Sequence, residues 1–445
     1  MKGQRLMTGG SIFKHLFFFA IPLVIGNLFQ QLYNTADSII VGNFVGSEAL
    51  AAVGSSGPLI NLLVGLFMGT ATGAGVVISQ YFGAKDRDNV SKAVHTTVAF
   101  ALVSGIFLTV VGMVFSSAIL KWMGTPPEVM ENSVIYLRTY FAGSLFSVGY
   151  NMCTGVLNAV GDSRKPLYFL AIASVVNIAL DLLFVVVFHM GVIGAALATI
   201  ISQAVSFVLV LWTLTRVDGW HKVVLKKVKF YKGFLSKIVK IGLPTGIQNM
   251  VVSFSNVIVQ SSINSFGSYA MAGCAAYNKI DGFNILPVQS ISLAATTFAG
   301  QNFGAKKYDR VKKCLFVSVA MVVGYTAFSS TLLIIFGNNI IGIFSSDPNV
   351  LKYGMMMLMH MAPFYFMVGV DNVLAGNIRG VGKTMMSMIF FVANLCGVRV
   401  LWIGIMLPIF RDINIVFWGY PVSWLTCLIC MVIYLFRVKW LKESF

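Results

Sequence analysis

The stretch RVDGWHKVVLKKVKFYKGFLSKIVK, residues 216–240, lies at the middle of the chain and contains eight of its 32 Lys and Arg residues. Long apolar sequence flanks it on both sides. A charge block of this density does not lie in hydrocarbon, so the stretch predicts a water-exposed connector at a membrane face. The sequence before the connector and the sequence after it look like two copies of one repeat unit.

Composition places the chain in a lipid bilayer. Of its 445 residues, 57% are hydrophobic and only 11% are charged, whereas soluble domains contain about 25% charged residues. The net charge of +17 resides in short clusters between apolar runs, which favours a positive membrane face over a nucleic-acid-binding groove. Cys427 and Cys430 form a CxxC without a second ligand pair, so apolar packing is favoured over a zinc site or a disulfide. We therefore expect no metal, no cofactor and no nucleic-acid partner.

Twelve apolar segments are long enough to cross a bilayer, which takes about 20 mostly apolar residues. Helices are expected because backbone groups in lipid must be satisfied within the segment. The segments are 16–43, 49–80, 92–118, 132–157, 166–188, 191–215, 237–265, 270–300, 311–336, 352–377, 384–408 and 414–436. The first shows no small-residue cleavage site, so we expect it to remain as a span.

Basic residues predict the orientation. The two termini and the even-numbered loops carry 26 Lys and Arg, whereas the odd-numbered loops carry only Lys121, Lys352 and Arg411. Basic residues stay on the cytoplasmic side. Both termini are therefore expected in the cytoplasm, with the protein a multi-pass component of the cell membrane.

An internal repeat relates the two halves. Three residues recur at one constant offset, as Pro22, Asn27 and Asn34 and again as Pro244, Asn249 and Asn256. SQYFGAKD after the second span recurs as GQNFGAKK after the eighth, and LNAVGDSRK after the fourth echoes GNIRGVGK after the tenth. Each half has six spans, so the halves are parallel repeats with a cavity expected between them. The predicted fold is an all-α polytopic membrane protein of twelve helices in two six-helix lobes, with an N-terminal lobe at 1–215, the connector at 216–236 and a C-terminal lobe at 237–445.

Acids within the spans of the first half are candidate coupling groups, because a charge at the centre of a membrane helix costs about 2.5–3.5 kcal/mol. Asp37 lies in the first span and Asp181 in the fifth, where Asn177 shares its helix face. Two acids brought together cannot easily both be charged, so one holds a proton. The alternative is a protonated acid that only bonds neighbouring helices. Pro22 removes a backbone hydrogen bond and is the predicted hinge of the first helix.

The second half offers candidate substrate contacts, and each has a structural alternative. Asp371 lies in the tenth span, Lys279 and Asp281 in the eighth, and Arg399 in the eleventh. Internal ion pairs, of Arg399 with an acid or of Lys279 with Asp281, are as well supported as substrate binding. Tyr365, beside Phe364, Phe366 and the Met-rich run 355–361, lines either a promiscuous apolar pocket or ordinary core packing.

Two glycine-containing motifs do not predict nucleotide binding. GTATGAG at 69–75 lies inside a span, where close helix packing is the expected role. GVGKT at 380–384 contains GKT, yet Asn377 stands where a P-loop needs its first glycine. No sequence feature therefore supports ATP as the energy source.

The duplicated layout resembles the MATE (multidrug and toxic compound extrusion) family over essentially the whole chain. The specific marks are AIPLVIGNLFQQLYNTADSIIVGNFVG in the first span, SQYFGAKD and LNAVGDSRKP, with GQNFGAKK and AGNIRGVGK as their counterparts. The resemblance implies secondary export of organic cations or other amphiphilic compounds, exchanged for H+ or Na+, by a monomer that is not an enzyme. In one bacterial branch the coupling ion lies in the N-terminal lobe, at positions matching Asp37, Tyr136, Asn177, Asp181 and Thr199.

The resemblance leaves the coupling lobe open. Other members use an acid in the tenth span, which matches Asp371, and some carry an acid in the seventh span, where this chain has Gln248 and Asn249. These residues, with Tyr365, are the candidate substrate contacts of the C-terminal lobe. A related lipid-linked oligosaccharide flippase is the alternative function; a cationic cavity would be expected for it, whereas Asp37, Asp181 and Asp371 favour cationic substrates.

The orientation is testable by cysteine accessibility. We expect Lys226→Cys to be protected from a membrane-impermeant maleimide in intact cells and Asp347→Cys to react, because the two positions lie on opposite sides of the bilayer. The reverse pattern would contradict the orientation, and the unsubstituted chain supplies the background labelling.

Overall fold

The computed structural model describes residues 6–123, 125 and 127–437, and within these ranges the chain is helical and contains no strand. The α-helices are α1 (Ile12–Phe44), α2 (Ser47–Gly83), α3 (Arg87–Trp122), α4 (Pro127–Ala142), α5 (Ser144–Ala159), α6 (Arg164–Asp181), α7 (Gly191–Arg216), α8 (Phe234–Asn264), α9 (Ser268–Gly304), α10 (Tyr308–Gly342), α11 (Pro348–Met361), α12 (Tyr365–Gly380), α13 (Thr384–Phe391), α14 (Arg399–Phe410) and α15 (Ile413–Arg437).

These elements form twelve helical rods that follow the twelve predicted spans. Four rods are composite: α4 and α5 are separated at Gly143, a 3-10 segment at Ala362–Phe364 joins α11 to α12, and two rods contain π-helical segments. The π segments are Leu182–Val187, directly after α6, and Val392–Val398, directly before α14. Within the described residues, eight rods are long and apolar enough to cross a membrane. The all-helical multi-pass class is confirmed.

The rods divide into two compact units. One contains Pro22–Gly246, and the other contains Met7–Ile21 together with the chain from Ile247 onward. The division therefore falls inside α1 and α8, whereas the sequence places the lobe boundary at the connector. Pro22 begins the first unit, yet α1 runs without a break from Ile12 to Phe44. The proline marks where the helix passes from one unit to the other without ending it.

Glycines bring α2 against the first half of α8 inside the Pro22–Gly246 unit. A Cβ atom added at Gly73 would lie 2.6 Å from the Ile238 carbonyl oxygen and would also meet the backbone of Gly242. A Cβ added at Gly246 would lie 2.6 Å from the Leu66 carbonyl oxygen. The predicted packing role of the GTATGAG run is thus confirmed, because backbone meets backbone where these residues have no side chain.

Substitution of these glycines should separate the two helices. We expect Gly73→Ala to lower the thermal midpoint of the detergent-solubilised protein, at a cost of about 1–3 kcal/mol, because the clashing atoms belong to a backbone that cannot rotate away. Gly324→Ala is the matched control, since a Cβ there meets no atom within 4 Å. The control should be neutral or slightly stabilising. Equal midpoints for the two variants would contradict the close approach.

The connector is less exposed than its charge predicts. Its lysines reach water, but His221 is 0% exposed and Val223 is buried. The backbone N–H of Val224 donates to Nε2 of His95 on α3 at 3.0 Å, and Trp220 packs on Phe82 with ring centroids 5.4 Å apart. The expectation of a fully water-exposed connector was therefore wrong at its centre. Apolar and aromatic residues between the lysines attach it to the C-terminal end of α2 and the N-terminal part of α3.

Burial of His221 makes the stability of this attachment depend on pH. Desolvation, reinforced by the positive charge of Lys165, lowers the pKa of His221 from 6.5 to about 4. The unfolded chain therefore binds a proton below pH 6.5 that the folded chain does not bind until about pH 4. Stability is complete above pH 6.5 and falls as the pH drops towards 4, by at most about 3 kcal/mol.

The histidine can be tested by substitution. We expect the thermal midpoint of the unsubstituted protein to fall between pH 7 and pH 5, and His221→Asn to lose part of that decrease. His189→Asn is the control, because His189 is exposed and has a left-handed backbone that asparagine accepts. A pH dependence that is unchanged in His221→Asn would show that this residue is not its source.

Candidate functional site

A pair of buried carboxyl groups lies within the Pro22–Gly246 unit. Asp37 on α1 is 8% exposed, and Asp181, the last residue of α6, is 0% exposed. The two are close enough to interact electrostatically, and the Tyr136 hydroxyl on α4 interacts with both. Asn177 lies one helical turn before Asp181 and is fully buried. Three helices that are distant in sequence therefore bring four of the family-implied residues together.

Thr199, the fifth, is buried on α7. Its hydroxyl donates to the Ala195 carbonyl of its own helix at 3.1 Å. The hydroxyl is therefore already used within α7.

The polar atoms of the carboxyl pair lack hydrogen-bond partners. Both carboxyl oxygens of Asp181, Oδ1 of Asp37 and both side-chain amide atoms of Asn177 are buried without one. Buried polar atoms are nearly always paired, since leaving one unpaired costs about 1–3 kcal/mol. Clustered carboxylate and amide oxygens in an apolar wall provide acceptors for a proton or a small cation.

A π-helical segment begins directly after Asp181. Such segments break the regular i→i−4 hydrogen bonding of a helix and are frequent at functional sites. The corresponding rod of the second half contains the π segment Val392–Val398, which ends directly before Arg399. Neither segment was predicted, because a π segment has no sequence signature comparable to a proline or a glycine.

The candidate substrate contacts of the second unit are mostly buried. Asp371 is 0% exposed and its carboxyl group lies beside the thiol of Cys427, and Tyr365 is also buried. Gln248 is buried and accepts a hydrogen bond from Ser387 at 3.2 Å. Asn249 is exposed. Of these four residues, only Asn249 presents a side chain at the surface of the unit.

Neither internal ion pair of the second half forms. Among the described residues, no carboxylate lies within 4.0 Å of Arg399, and Lys279 and Asp281 are likewise not paired. Asp281 instead interacts electrostatically with hydroxyls from four helices, those of Tyr277, Tyr325, Tyr365 and Tyr420. Sequence reasoning missed this tyrosine group because its members are distant along the chain and each lies in an ordinary apolar context.

A duplicated set of twelve membrane-crossing rods, with buried unpaired acids inside a lobe, defines a multi-pass membrane transporter. The family model named MatE matches residues 22–183 and, separately, residues 244–403. The chain therefore belongs to the MatE family, whose members are transporters rather than enzymes. The two separate matches also confirm the internal repeat.

Similar proteins agree with this assignment. "Probable multidrug resistance protein YpnP" of Bacillus subtilis (strain 168) is 30% identical over 392 residues, which is 86% of this chain and 85% of the relative. "Probable multidrug resistance protein YoeA" of the same organism is 28% identical over 98% of this chain and 95% of the relative. An outward-facing structure of a multidrug resistance MATE family transporter of the MOP superfamily superimposes with a TM-score of 0.93 at 22% identity, covering 100% of this chain and 99% of that one.

Proposed function

We propose that the protein exports organic cations in exchange for protons. The observation that carries this proposal is the group of Asp37, Tyr136, Asn177 and Asp181, which holds unpaired acceptor oxygens in an apolar wall. The printed names of the relatives, multidrug resistance and multidrug export proteins, support export of this substrate class.

The carboxyl pair exchanges one cation for another. When protons enter the pair, they neutralise it and remove the repulsion between Asp37 and Asp181. When a proton leaves, the restored negative charge favours a substrate cation in the same lobe. Since the two occupants compete for one charge, the outward movement of substrate is coupled to the inward movement of protons. Sodium could use the same oxygens, and the ion-gradient experiment below distinguishes the two.

The energetics set a requirement on stoichiometry. Export of a monovalent cation against a 100-fold gradient costs about 2.7 kcal/mol, and the membrane potential opposes its exit by about 2.3 kcal/mol per 100 mV. One entering proton recovers the electrical cost and leaves the pH gradient as the drive. A second entering proton adds the membrane potential to the driving force. Two acids at one site allow the protein to exchange either one or two protons for each exported cation.

Substrate contact in the second unit is proposed at the face of α8 that carries Asn249. Asn249 and Asn256 are both exposed and lie seven residues apart, on one side of the helix. Polar residues exposed on a membrane-crossing helix face an aqueous space rather than lipid. Gln248, Tyr365 and Asp371 are buried in the same unit, and we propose that they support this face.

The remaining features of the proposal follow from the chain itself. Both termini lie in the cytoplasm of a protein of the cell membrane, with the lysines of the connector at that surface. The protein acts as a monomer and needs no cofactor other than the coupling ion.

Substitution of Asp181 tests the coupling directly. Asp181→Asn keeps the shape of the side chain and removes its exchangeable proton. We therefore expect at least a tenfold loss of efflux of rhodamine 123 driven by a pH gradient in proteoliposomes. Asp218→Asn is the control, because Asp218 is fully exposed in the connector and forms only a 3.9 Å ion pair with Lys222.

The two gradients are imposed separately. Efflux driven by a pH gradient but not by a sodium gradient is the expected pattern for the unsubstituted protein. If Asp181→Asn exports at the unsubstituted rate, this residue is not the coupling group. If a sodium gradient alone drives efflux, the coupling ion is sodium.

A further inference from the structure

We propose that Arg399 is an anion-binding residue and that the second unit thereby recognises substrates carrying a carboxylate in addition to a cationic group. The inference rests on the proposed export function and names a substrate class for it. Four observations support it, namely the burial of the guanidinium, its missing counter-ion, its register in the helix and its access to water.

Arg399 is an isolated buried cation. Its side chain is 2% exposed, and its hydrogen bonds go to neutral partners on two other helices. Nε and Nη2 donate to the Ser423 hydroxyl at 3.1 and 3.0 Å, and Nη1 donates to Oδ1 of Asn256 at 3.2 Å. The guanidinium carbon lies 4.3 Å from the centroid of the Tyr420 ring. These contacts position the group and leave its positive charge without an anion.

An unpaired charge in this environment has an energetic cost that packing alone does not explain. Buried charges are normally paired, and an arginine in a membrane helix usually has a counter-ion or a functional role. The guanidinium has five N–H groups, of which the three contacts above use three. Two donors in a planar fork therefore remain for a carboxylate, which accepts such a pair in bidentate geometry.

Arg399 shares an electrostatic neighbour, Tyr420, with the acid Asp281. Tyr420 interacts electrostatically with both Arg399 and Asp281. The two charged groups do not form an ion pair with each other. One unit thus holds a positive group, 4.3 Å from the Tyr420 ring centroid, and a negative group that both interact with the same tyrosine. A substrate with a cationic amine, an aromatic body and a carboxylate matches this sequence of charges.

The helical register makes Arg399 the counterpart of Asp181. Asn177 in the fifth span aligns with Asn394 in the eleventh, which places Val398 opposite Asp181 in the sequence; Arg399 follows Asn394 by five residues, whereas Asp181 follows Asn177 by four. A residue four positions on lies on the same face of an α-helix. The π segment Val392–Val398 widens the turn to an i→i+5 spacing, so Arg399 returns to the face of Asn394. The same place in the two halves therefore carries opposite charges.

The guanidinium is reachable through Asn256. This asparagine is exposed on the α8 face that it shares with Asn249, and it covers Nη1 of Arg399. A carboxylate that displaces the asparagine amide oxygen exchanges a neutral acceptor for a charged one, and charge-assisted hydrogen bonds are roughly twice as strong.

A pair of dyes isolates the effect of the carboxylate. Rhodamine 110 has a free carboxylate, and rhodamine 123 is its methyl ester with the same aromatic amine. Binding of each dye to the purified protein is measured by fluorescence polarisation. We expect Arg399→Gln to weaken rhodamine 110 at least tenfold and rhodamine 123 less than threefold. Arg399→Lys, which keeps the charge but not the fork, should weaken rhodamine 110 about three- to tenfold. Arg411→Gln is the control, since Arg411 is exposed and lies beyond the end of α14.

Each outcome bears on the proposal. Equal weakening of the two dyes would show that Arg399 only connects helices, and absence of rhodamine 110 binding to the unsubstituted protein would also overturn the inference. If Arg399→Gln does not fold, Arg399→Lys provides the test: weaker binding of rhodamine 110 with unchanged binding of rhodamine 123 would support the proposal. Export of rhodamine 123 by the unsubstituted protein is measured alongside, because its failure would contradict the proposed export function whatever the dye comparison shows.

Discussion

The structure depends on the cost of placing charge where water is absent. Hydrocarbon accepts helices because their backbone groups are satisfied internally, and it rejects charged side chains unless they have a partner or a task. Asp37 and Asp181 lie close enough to interact within one buried site, and we propose that a proton or cation held there compensates for the missing water. The lysines of the connector meet it by staying in water. The positions of nearly all charged residues follow from this one cost.

Packing provides the rigidity that such a site requires. Bare backbone contact between α2 and α8 fixes the first half of α8 within the Pro22–Gly246 unit, and His221 and its neighbours attach the connector to the same unit. The carboxyl pair lies in this same unit, so its helices belong to one packed body.

Much of the fold could be predicted from the sequence, since hydropathy and charge act over whole segments. The twelve spans, the repeat and the partnership of Asp37 with Asp181 all rest on strong local or repeated signals. The tyrosines around Asp281 could not be predicted, because their proximity results from packing of four separate helices. The helix face on which Arg399 lies could not be predicted either. It depends on a π segment, which moves the residue that shares a face with Asn394 from position 398 to position 399, and a π segment leaves no mark in the composition. Burial of His221 could not be predicted, because the many lysines around it indicate a water-exposed segment.

We propose that the carboxyl pair holds protons that leave when a substrate cation binds. The most direct measurement is the pH change when rhodamine 123 is added to the purified protein in weakly buffered solution. We expect the unsubstituted protein to release protons in proportion to the dye bound. The Asp37→Asn, Asp181→Asn double variant should release none and bind the dye more weakly, because it lacks the negative charge for which proton and dye compete. Dye binding without any proton release from the unsubstituted protein would contradict this exchange.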